Sequence, residues 1–110
     1  WILLAGYMKI VESTLLEAYP NHIVNIQPAL LPAFKGAHAI QDSFNYGVKV
    51  VGITIHYVSP ELDGGKIIAQ RAFDYVEGED IEEVESRIHA LEHVLYPETI
   101  EKLLHQEERR

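Results

Sequence analysis

Two short stretches of the sequence hold side chains that could take part in the transfer of an acyl group. Asn25-Ile26-Gln27-Pro28 ends an apolar run, and Leu62-Asp63-Gly64-Gly65 follows further along the chain. An amide N–H can donate to an oxygen that becomes negative while an acyl group is transferred. A carboxylate can order a water molecule or accept a proton. Asn25, Gln27 and Asp63 are therefore the candidate catalytic residues.

Each stretch also has an ordinary structural interpretation. Asn suits turn positions, so Asn25 at a strand end could simply form a turn. Asp63-Gly64-Gly65 alone could be an ordinary loop. The strand-like run from Gly52 to Val58 lies between the two stretches, and this combined spacing favours the functional interpretation.

These residues resemble the active site of the folate-dependent formyltransferases, and most of all the phosphoribosylglycinamide formyltransferase family. The resemblance runs from residue 1 to about residue 105 and is strongest from Asn25 to Gln70. Residues 1–110 look like the C-terminal portion of one formyltransferase domain. The glycine-rich loop that holds the substrate phosphate in the family's upstream half has no counterpart here.

The resemblance implies an activity and two substrates. The activity is transfer of a formyl group from 10-formyltetrahydrofolate to the amine of glycinamide ribonucleotide, in purine biosynthesis. The family has its catalytic histidine where this chain has Gln27, and Gln has no titratable group, so we expect impaired activity. A formyltetrahydrofolate hydrolase, or a non-catalytic fragment that binds folate or serves assembly, are the alternatives.

His56 is the candidate replacement for the missing acid. It lies two residues after Thr54, on the strand that leads to Asp63. Histidine is the side chain most often used as a general acid or base. The structural alternative, in which His56 orients Asp63 or packs within the sheet, stays open.

The resemblance also implies residues that bind the substrates. The folate is contacted by the residues that match Met8, Lys9, Ile10, Val11, Asn25, Ser59, Pro60, Glu61, Leu62 and Asp63. The ribose of the nucleotide is contacted by the part of a helix that matches His89, Ala90, Leu91 and Glu92. Core packing is the alternative for Met8 and Ile10, and a solvated helix face is the alternative for Glu92.

Composition restricts the partners and sites. The formal net charge of -8 argues against nucleic acid, which requires a basic surface. No apolar run approaches the roughly 20 residues of a membrane span. The chain has no cysteine, which excludes thiolate ligands. His89 and His93 lack an evident third ligand, so we expect no bound metal ion. We also expect a cytoplasmic location.

Apolar spacing predicts an α/β fold with a mixed sheet. Strands are predicted at residues 1–5, 22–26, 48–58 and 66–73, and helices at residues 13–18 and 36–44. A long amphipathic helix is predicted after Asp80, with a break or kink at Pro97 and a frayed tail from His105.

By resemblance the sheet is the central layer of three and lacks its N-terminal parallel strands. The first strand would then have an open edge, and apolar surface from Trp1, Leu3 and Leu4 would meet water. We therefore expect self-association or a companion N-terminal segment.

Overall fold

A computed structural model describes residues 1–5, 13–19, 21–36, 38–60 and 65–108. The elements in these ranges are β1 (Ile2–Ala5), α1 (Ser13–Ala18), β2 (Ile23–Gln27), α2 (Ala39–Tyr46), β3 (Val50–Tyr57), β4 (Ile67–Asp74) and α3 (Ile81–Glu108). The strands form one sheet in the order β1-β2-β3-β4, in which β1 and β2 are parallel and the other pairs are antiparallel. The predicted α/β class and mixed sheet are confirmed.

The main core lies between one face of the sheet and α3. Side chains alternate between the two faces of a strand, and the face that α3 covers carries Val24, Ile26, Val51, Ile53 and Ile55 of β2 and β3. Burying side chains of this size contributes roughly 1.5–3 kcal/mol each. The fully buried members of this cluster are Val24, Ile26, Val51, Ile53, Ile55, Val84, Ile88, Leu95 and Leu103.

The opposite face of β2 and β3 is polar. Asn25 and Gln27 of β2 lie there beside Thr54 and His56 of β3, and each is no more than 2% exposed. The strand register pairs Asn25 with His56 and Gln27 with Thr54. We call these four residues the polar row. Their burial means that each needs hydrogen-bond partners inside the protein.

The segment from Pro28 to Gly36, which we call the roof loop, packs against this polar face. An ideal Cβ on Gly52 would lie 2.7 Å from Leu30 Cδ2 and 2.3 Å from the Arg71 carbonyl oxygen. Only glycine at position 52 lets the roof loop and β4 approach β3 this closely. Ala29 and Leu31 of the loop form a small second core with Ala39.

The predicted helix boundaries agree with local capping. Gly47 ends α2 in the left-handed conformation, with φ of 85°, and its N–H bonds to the carbonyls of Ser43 and Phe44. At the start of α3, the Glu83 N–H donates to Asp80 Oδ1 at 2.9 Å. α2 begins at Ala39, slightly later than predicted.

The predicted break at Pro97 is wrong, because α3 continues through this position to Glu108, and residues 105–108 of the predicted frayed tail are helical. A kink at Pro97 stays a prediction. Buried Leu95 and Leu103 hold the helix to the sheet on either side of Pro97. This packing offsets the backbone hydrogen bond that proline removes. No helix in the described ranges, including the 28 residues of α3, is long and apolar enough to span a membrane.

The last turns of α3 are tied to the starts of β1 and β2. Trp1 Nε1 donates to Glu107 Oε2 at 2.6 Å, and His22 Nε2 lies 2.9 Å from Glu107 Oε1. The rings of Trp1 and His22 are 4.5 Å apart. The hydrogen bonds from His22 and then Trp1 lower the pKa of Glu107 below its usual 4.5.

We predict that Glu107→Gln destabilises the fold at pH 7 and that this difference disappears in acid. A carboxyl group whose pKa is lowered by folding stabilises the fold above pH 4.5, and the contribution is lost as pH falls through the lowered value. Urea unfolding followed by the fluorescence of Trp1, the only tryptophan, measures the difference. Glu108→Gln is the control, and a difference independent of pH would contradict the prediction.

Candidate functional site

The centre of the candidate site is a hydrogen bond between two residues of the polar row. Asn25 Nδ2 lies 3.3 Å from His56 Nε2, and both side chains are buried. The other ring nitrogen, His56 Nδ1, lies 2.9 Å from the Tyr57 carbonyl oxygen. The strand pairing that places Asn25 opposite His56 brings these groups together.

These contacts assign the proton on the His56 ring. A carbonyl oxygen can only accept, so His56 Nδ1 carries the hydrogen and donates it to Tyr57. In the neutral ring Nε2 is then an acceptor, which matches the N–H donor of Asn25. To act as an acid through Nε2, His56 would need a proton where the Asn25 amide already donates. This geometry favours an orienting role for His56, with Asn25 as the group that it orients.

Gln27 is enclosed and has one end of its amide fixed. Its Nε2 donates to the Gly36 carbonyl oxygen at 2.8 Å, and the residue has no exposed surface. Its Oε1 is buried and has no hydrogen-bond partner in the part of the chain that the structure describes. Reversing the amide would bring two oxygens together at Gly36, so the observed orientation is the favourable one.

Thr54 connects the polar row to the roof loop, a role that the sequence analysis missed. Its hydroxyl donates to the Ala29 carbonyl oxygen at 2.6 Å and accepts from the Leu31 N–H at 3.1 Å. Gln70 Nε2 lies 3.0 Å from both Thr54 Oγ1 and the Leu31 carbonyl oxygen. The available signal was alternation along β3, which puts Thr54 on the same face as His56.

Part of the predicted folate site is described and part is not. Ser59 borders a cavity of 540 Å³ that Trp1, His22 and Lys66 also line, whereas Pro60 is exposed. The other predicted folate-binding residues, apart from Asn25, lie outside the described ranges. They are Met8, Lys9, Ile10, Val11, Glu61, Leu62 and the predicted catalytic residue Asp63.

The predicted ribose-binding residues lie beside a groove of 890 Å³ between α3 and the outer part of the sheet. His89 and Glu92 line it, and His89 Nδ1 is 2.9 Å from Glu92 Oε1. Ala90 is exposed, and Leu91 packs against the main core. Within the described ranges, no three histidine, aspartate or glutamate side chains are grouped so that they could hold a metal ion.

Tyr96 closes one side of this groove. Its hydroxyl donates to the Leu4 carbonyl oxygen at 2.6 Å and lies 3.1 Å from the carbonyl oxygen of Val24. Burial raises the pKa of Tyr96 to about 12, although the hydrogen bond to Leu4 opposes the shift. The hydroxyl therefore stays protonated near neutral pH and links α3 to both β1 and β2.

The polar row and the groove lie on opposite faces of β2. Ile26 and Pro28 line the groove, whereas Asn25 and Gln27 point to the other face. Glu92 lines the groove, and Asn25 does not. Successive side chains of a strand point to opposite faces, so Asn25 and Gln27 cannot face the groove that Ile26 lines.

Comparison with known proteins identifies the family. The family described as formyl transferase matches residues 1–100. The chain belongs to this family. Over 103 residues it is 52% identical to the phosphoribosylglycinamide formyltransferase of Bacillus subtilis (strain 168), covering 94% of this chain and 53% of that protein. A chloroplastic phosphoribosylglycinamide formyltransferase of Arabidopsis thaliana is 41% identical over 105 residues, covering 91% of this chain and 36% of that protein.

Solved structures of the family have the same fold. The crystal structure of phosphoribosylglycinamide formyltransferase from Bacillus halodurans matches with a TM-score of 0.91 and 52% identity, covering 94% of this chain and 54% of that chain. The crystal structure of glycinamide ribonucleotide transformylase 1 from Geobacillus kaustophilus matches with a TM-score of 0.89 and 52% identity, covering 94% of this chain and 55% of that chain. The chain thus spans about half the length of these bacterial relatives.

We predict that Thr54→Val destabilises the fold by roughly 2–4 kcal/mol, because it leaves the Leu31 N–H and the Ala29 carbonyl without their buried partner. Urea unfolding measures the loss. Thr99→Val, at a buried threonine of α3 outside the polar row, is the matched control and should cost less. Equal losses in the two variants would show that Thr54 has no special role.

Proposed function

We propose that the protein transfers a formyl group from 10-formyltetrahydrofolate to the amine of glycinamide ribonucleotide, a step of purine biosynthesis. The observation that carries the proposal is the buried Asn25 amide, whose N–H end is fixed by His56. Family membership and the similarity to phosphoribosylglycinamide formyltransferases support it. On this proposal, residues 1–110 are the C-terminal portion of a formyltransferase domain in the cytoplasm.

Asn25 stabilises the charge that develops on the formyl oxygen. This oxygen becomes negative as the amine adds to the formyl carbon, and a donor that is already oriented needs no rearrangement at that moment. The contact with His56 holds Asn25 Nδ2 in place, and the contact with the Tyr57 carbonyl holds His56. The polar row supplies neutral donors in a buried setting, which fits the uncharged formyl group before reaction.

On this proposal, the proton that passes from the amine to the folate nitrogen is carried by a group other than Gln27. The amine must lose a proton and the folate nitrogen must gain one, and Gln27 has no group that titrates. Asp63 is the proposed carrier, directly or through water. Gln27 remains in the proposed site as the residue at the position of the family's histidine.

Two sets of residues bind the substrates on this proposal. The folate is held by Asn25 and by the residues around positions 8–11 and 59–63. The ribose is held by the helical segment 89–92, in which the Glu92 carboxylate accepts from ribose hydroxyls. The hydrogen bond between His89 and Glu92 supports this assignment, because it fixes the carboxylate at the wall of the groove.

A formyltetrahydrofolate hydrolase is the second candidate, and a folate-binding fragment without turnover is the third. The enclosed, non-titratable Gln27 is the observation that favours them. A formate-release assay with and without the nucleotide separates the three functions. Transfer requires the nucleotide amine, hydrolysis proceeds without it, and the third function gives folate binding with neither product.

We predict that Gln27→His raises formyl transfer by about 100-fold or more, because imidazole supplies a proton carrier. An imidazole can also donate one ring N–H to Gly36 as the Gln27 amide does. The rate constant for transfer, measured from pH 6 to 9 in the intact polypeptide, is the test. An unchanged rate across this range would show that position 27 does not take part in proton transfer.

We also propose that the open edge of β1 receives another strand, from a companion segment or from a second copy of the chain. β1 is the outer strand of the sheet and pairs only with β2 among the described strands. The groove beside it is mainly apolar, and the half-exposed Leu3 and Leu104 line it. Unpaired strand edges next to apolar surface recruit other chains.

We predict that the 110 residues alone self-associate at micromolar concentration unless a companion segment is supplied. Sedimentation velocity measures the association, and Leu104→Lys should weaken it by placing a charge in the groove. Tyr46→Lys is the control, because Tyr46 is 80% exposed and does not line the groove. A stable monomer of the parent chain would contradict the proposed interface.

A further inference from the structure

α3 meets the two halves of the sheet in different ways. It packs most closely on β3 and β4, whereas the groove of 890 Å³ lies between it and β1. On the β4 side, the Arg87 guanidinium lies 4.3 Å from the centre of the Phe73 ring and pairs with the Glu79 carboxylate. Arg87 also donates to the Asp74 carbonyl oxygen at 3.2 Å. The flank of α3 that faces β4 is therefore held by several contacts in addition to the core.

On the other flank, Tyr96 reaches across the groove to β1 and β2. Its hydroxyl donates to the Leu4 carbonyl oxygen at 2.6 Å and lies 3.1 Å from the Val24 carbonyl oxygen. Glu107, which bonds to residues at the starts of β1 and β2, is eleven residues further along α3. That separation corresponds to about 16 Å along the helix axis. Tyr96 is thus a polar link between helix and strands in the middle of α3, remote from the contacts of Glu107.

The predicted ribose-binding residues lie on the same stripe of α3 as Tyr96. His89, Glu92 and Tyr96 are spaced by three and four residues, and all of them line the groove. Glu92 lies one helical turn before Tyr96, about 6 Å along the axis. The described wall opposite them is apolar and consists of Leu3, Ala5, Ile26 and Pro28. A nucleotide in this part of the groove would find its polar partners on α3, so its fit depends on the distance between α3 and the opposite wall.

We propose that Tyr96 is a positioning residue for nucleotide binding, because its bond to the Leu4 carbonyl sets the spacing between Glu92 and the opposite wall of the groove. The inference rests on the proposed function, since it takes the ribose of glycinamide ribonucleotide as the group that Glu92 binds. The core beneath α3, which includes Ile88 and Leu95, stays packed without the hydroxyl, so the helix remains on the sheet. The change is confined to the flank of α3 that borders the groove.

The Tyr96 hydroxyl keeps its hydrogen throughout the neutral range of pH. Burial raises the pKa of Tyr96 to about 12, although the hydrogen bond to Leu4 opposes the shift. The hydroxyl therefore donates equally well at pH 6 and at pH 9. Loss of this group should weaken nucleotide binding by the same factor across this range, whereas loss of a titrating group would give a factor that changes with pH.

The test compares Tyr96→Phe with the parent in the intact polypeptide, because phenylalanine removes the hydroxyl and keeps the ring in the groove wall. The Kd of glycinamide ribonucleotide, measured by equilibrium dialysis from pH 6 to 9, should rise about three- to tenfold at each pH, the change expected when one hydrogen bond is lost. The KM for the nucleotide should rise by a similar factor. The kcat and the KM for 10-formyltetrahydrofolate should stay unchanged.

Tyr75→Phe is the matched control. Tyr75 is also partly buried, and its hydroxyl donates to a backbone carbonyl, that of Glu79, at 2.8 Å. Tyr75 does not line the groove. Its variant should therefore lose a similar amount of stability in urea and keep the parent Kd for the nucleotide. Replacing Tyr96 by 4-aminophenylalanine keeps the ring and supplies an N–H donor, and should return the Kd toward the parent value.

An unchanged Kd in Tyr96→Phe overturns the proposal, and so does an equal rise in Tyr75→Phe, which would show that general loss of stability is the cause. A fall in kcat with an unchanged nucleotide KM also overturns it. If the parent transfers no formyl group, the proposed function fails, while the Kd values still decide the role of Tyr96. A parent that does not bind the nucleotide at all overturns both.

Discussion

The pairing of β2 with β3 in one register is the constraint on which the rest of the structure depends. It places Asn25 opposite His56 and Gln27 opposite Thr54, and it directs Ile26 and Ile55 to the opposite face. A shift of one residue in either strand would send the polar side chains into the apolar core under α3 and the apolar side chains into the polar row. The fold and the candidate site are therefore two consequences of the same backbone hydrogen bonds, and a change that weakens this ladder affects both.

Burial of the polar row explains why the roof loop has its observed path. Amides, a hydroxyl and an imidazole that are hidden from water need partners. Asn25 and His56 bond to each other, and His56 also bonds to the Tyr57 carbonyl of β3, whereas Gln27 and Thr54 bond to the roof loop. The loop supplies backbone carbonyls at Ala29 and Gly36 and the N–H of Leu31. Gly52 makes this possible, since a side chain there would push Leu30 and β4 away. A glycine within a strand thus serves to bring the loop close enough for hydrogen bonding.

Local patterns in the sequence predicted most of the elements. Period-two alternation identified β3, and Gly47 and Asp80 marked helix ends, because these signals depend on neighbouring residues alone. Continuity of α3 through Pro97 was not predictable in this way, since the packing of Leu95 and Leu103 against distant strands decides it. The extension of α3 beyond His105 likewise depends on Glu107, whose partners are more than eighty residues away.

The candidate site could likewise be predicted only where it depends on residues that are neighbours in the sequence. Asn25 was identified from its motif, and its burial beside His56 follows from strand alternation. The role of Thr54 depends on where the roof loop folds back, and the partner of Gln27 lies nine residues away on the far side of that loop. Side-chain chemistry read from the sequence indicated which groups could react. Only the path of the roof loop in the structure showed which of these groups already form hydrogen bonds.

An amide at position 27 is well suited to a buried position and poorly suited to moving protons. A charged group enclosed between the sheet and the roof loop would need a compensating charge beside it, because an unpaired buried charge costs far more than a buried amide. Gln27 avoids this cost and keeps a strong donor for Gly36 at every pH. Within the described part of the chain Gln27 Oε1 has no hydrogen-bond partner, and this remaining cost is smaller because the atom carries only a partial charge. The Gln27 amide therefore provides a hydrogen bond to Gly36 that does not depend on pH, and the proposed formyl transfer requires a proton carrier other than Gln27.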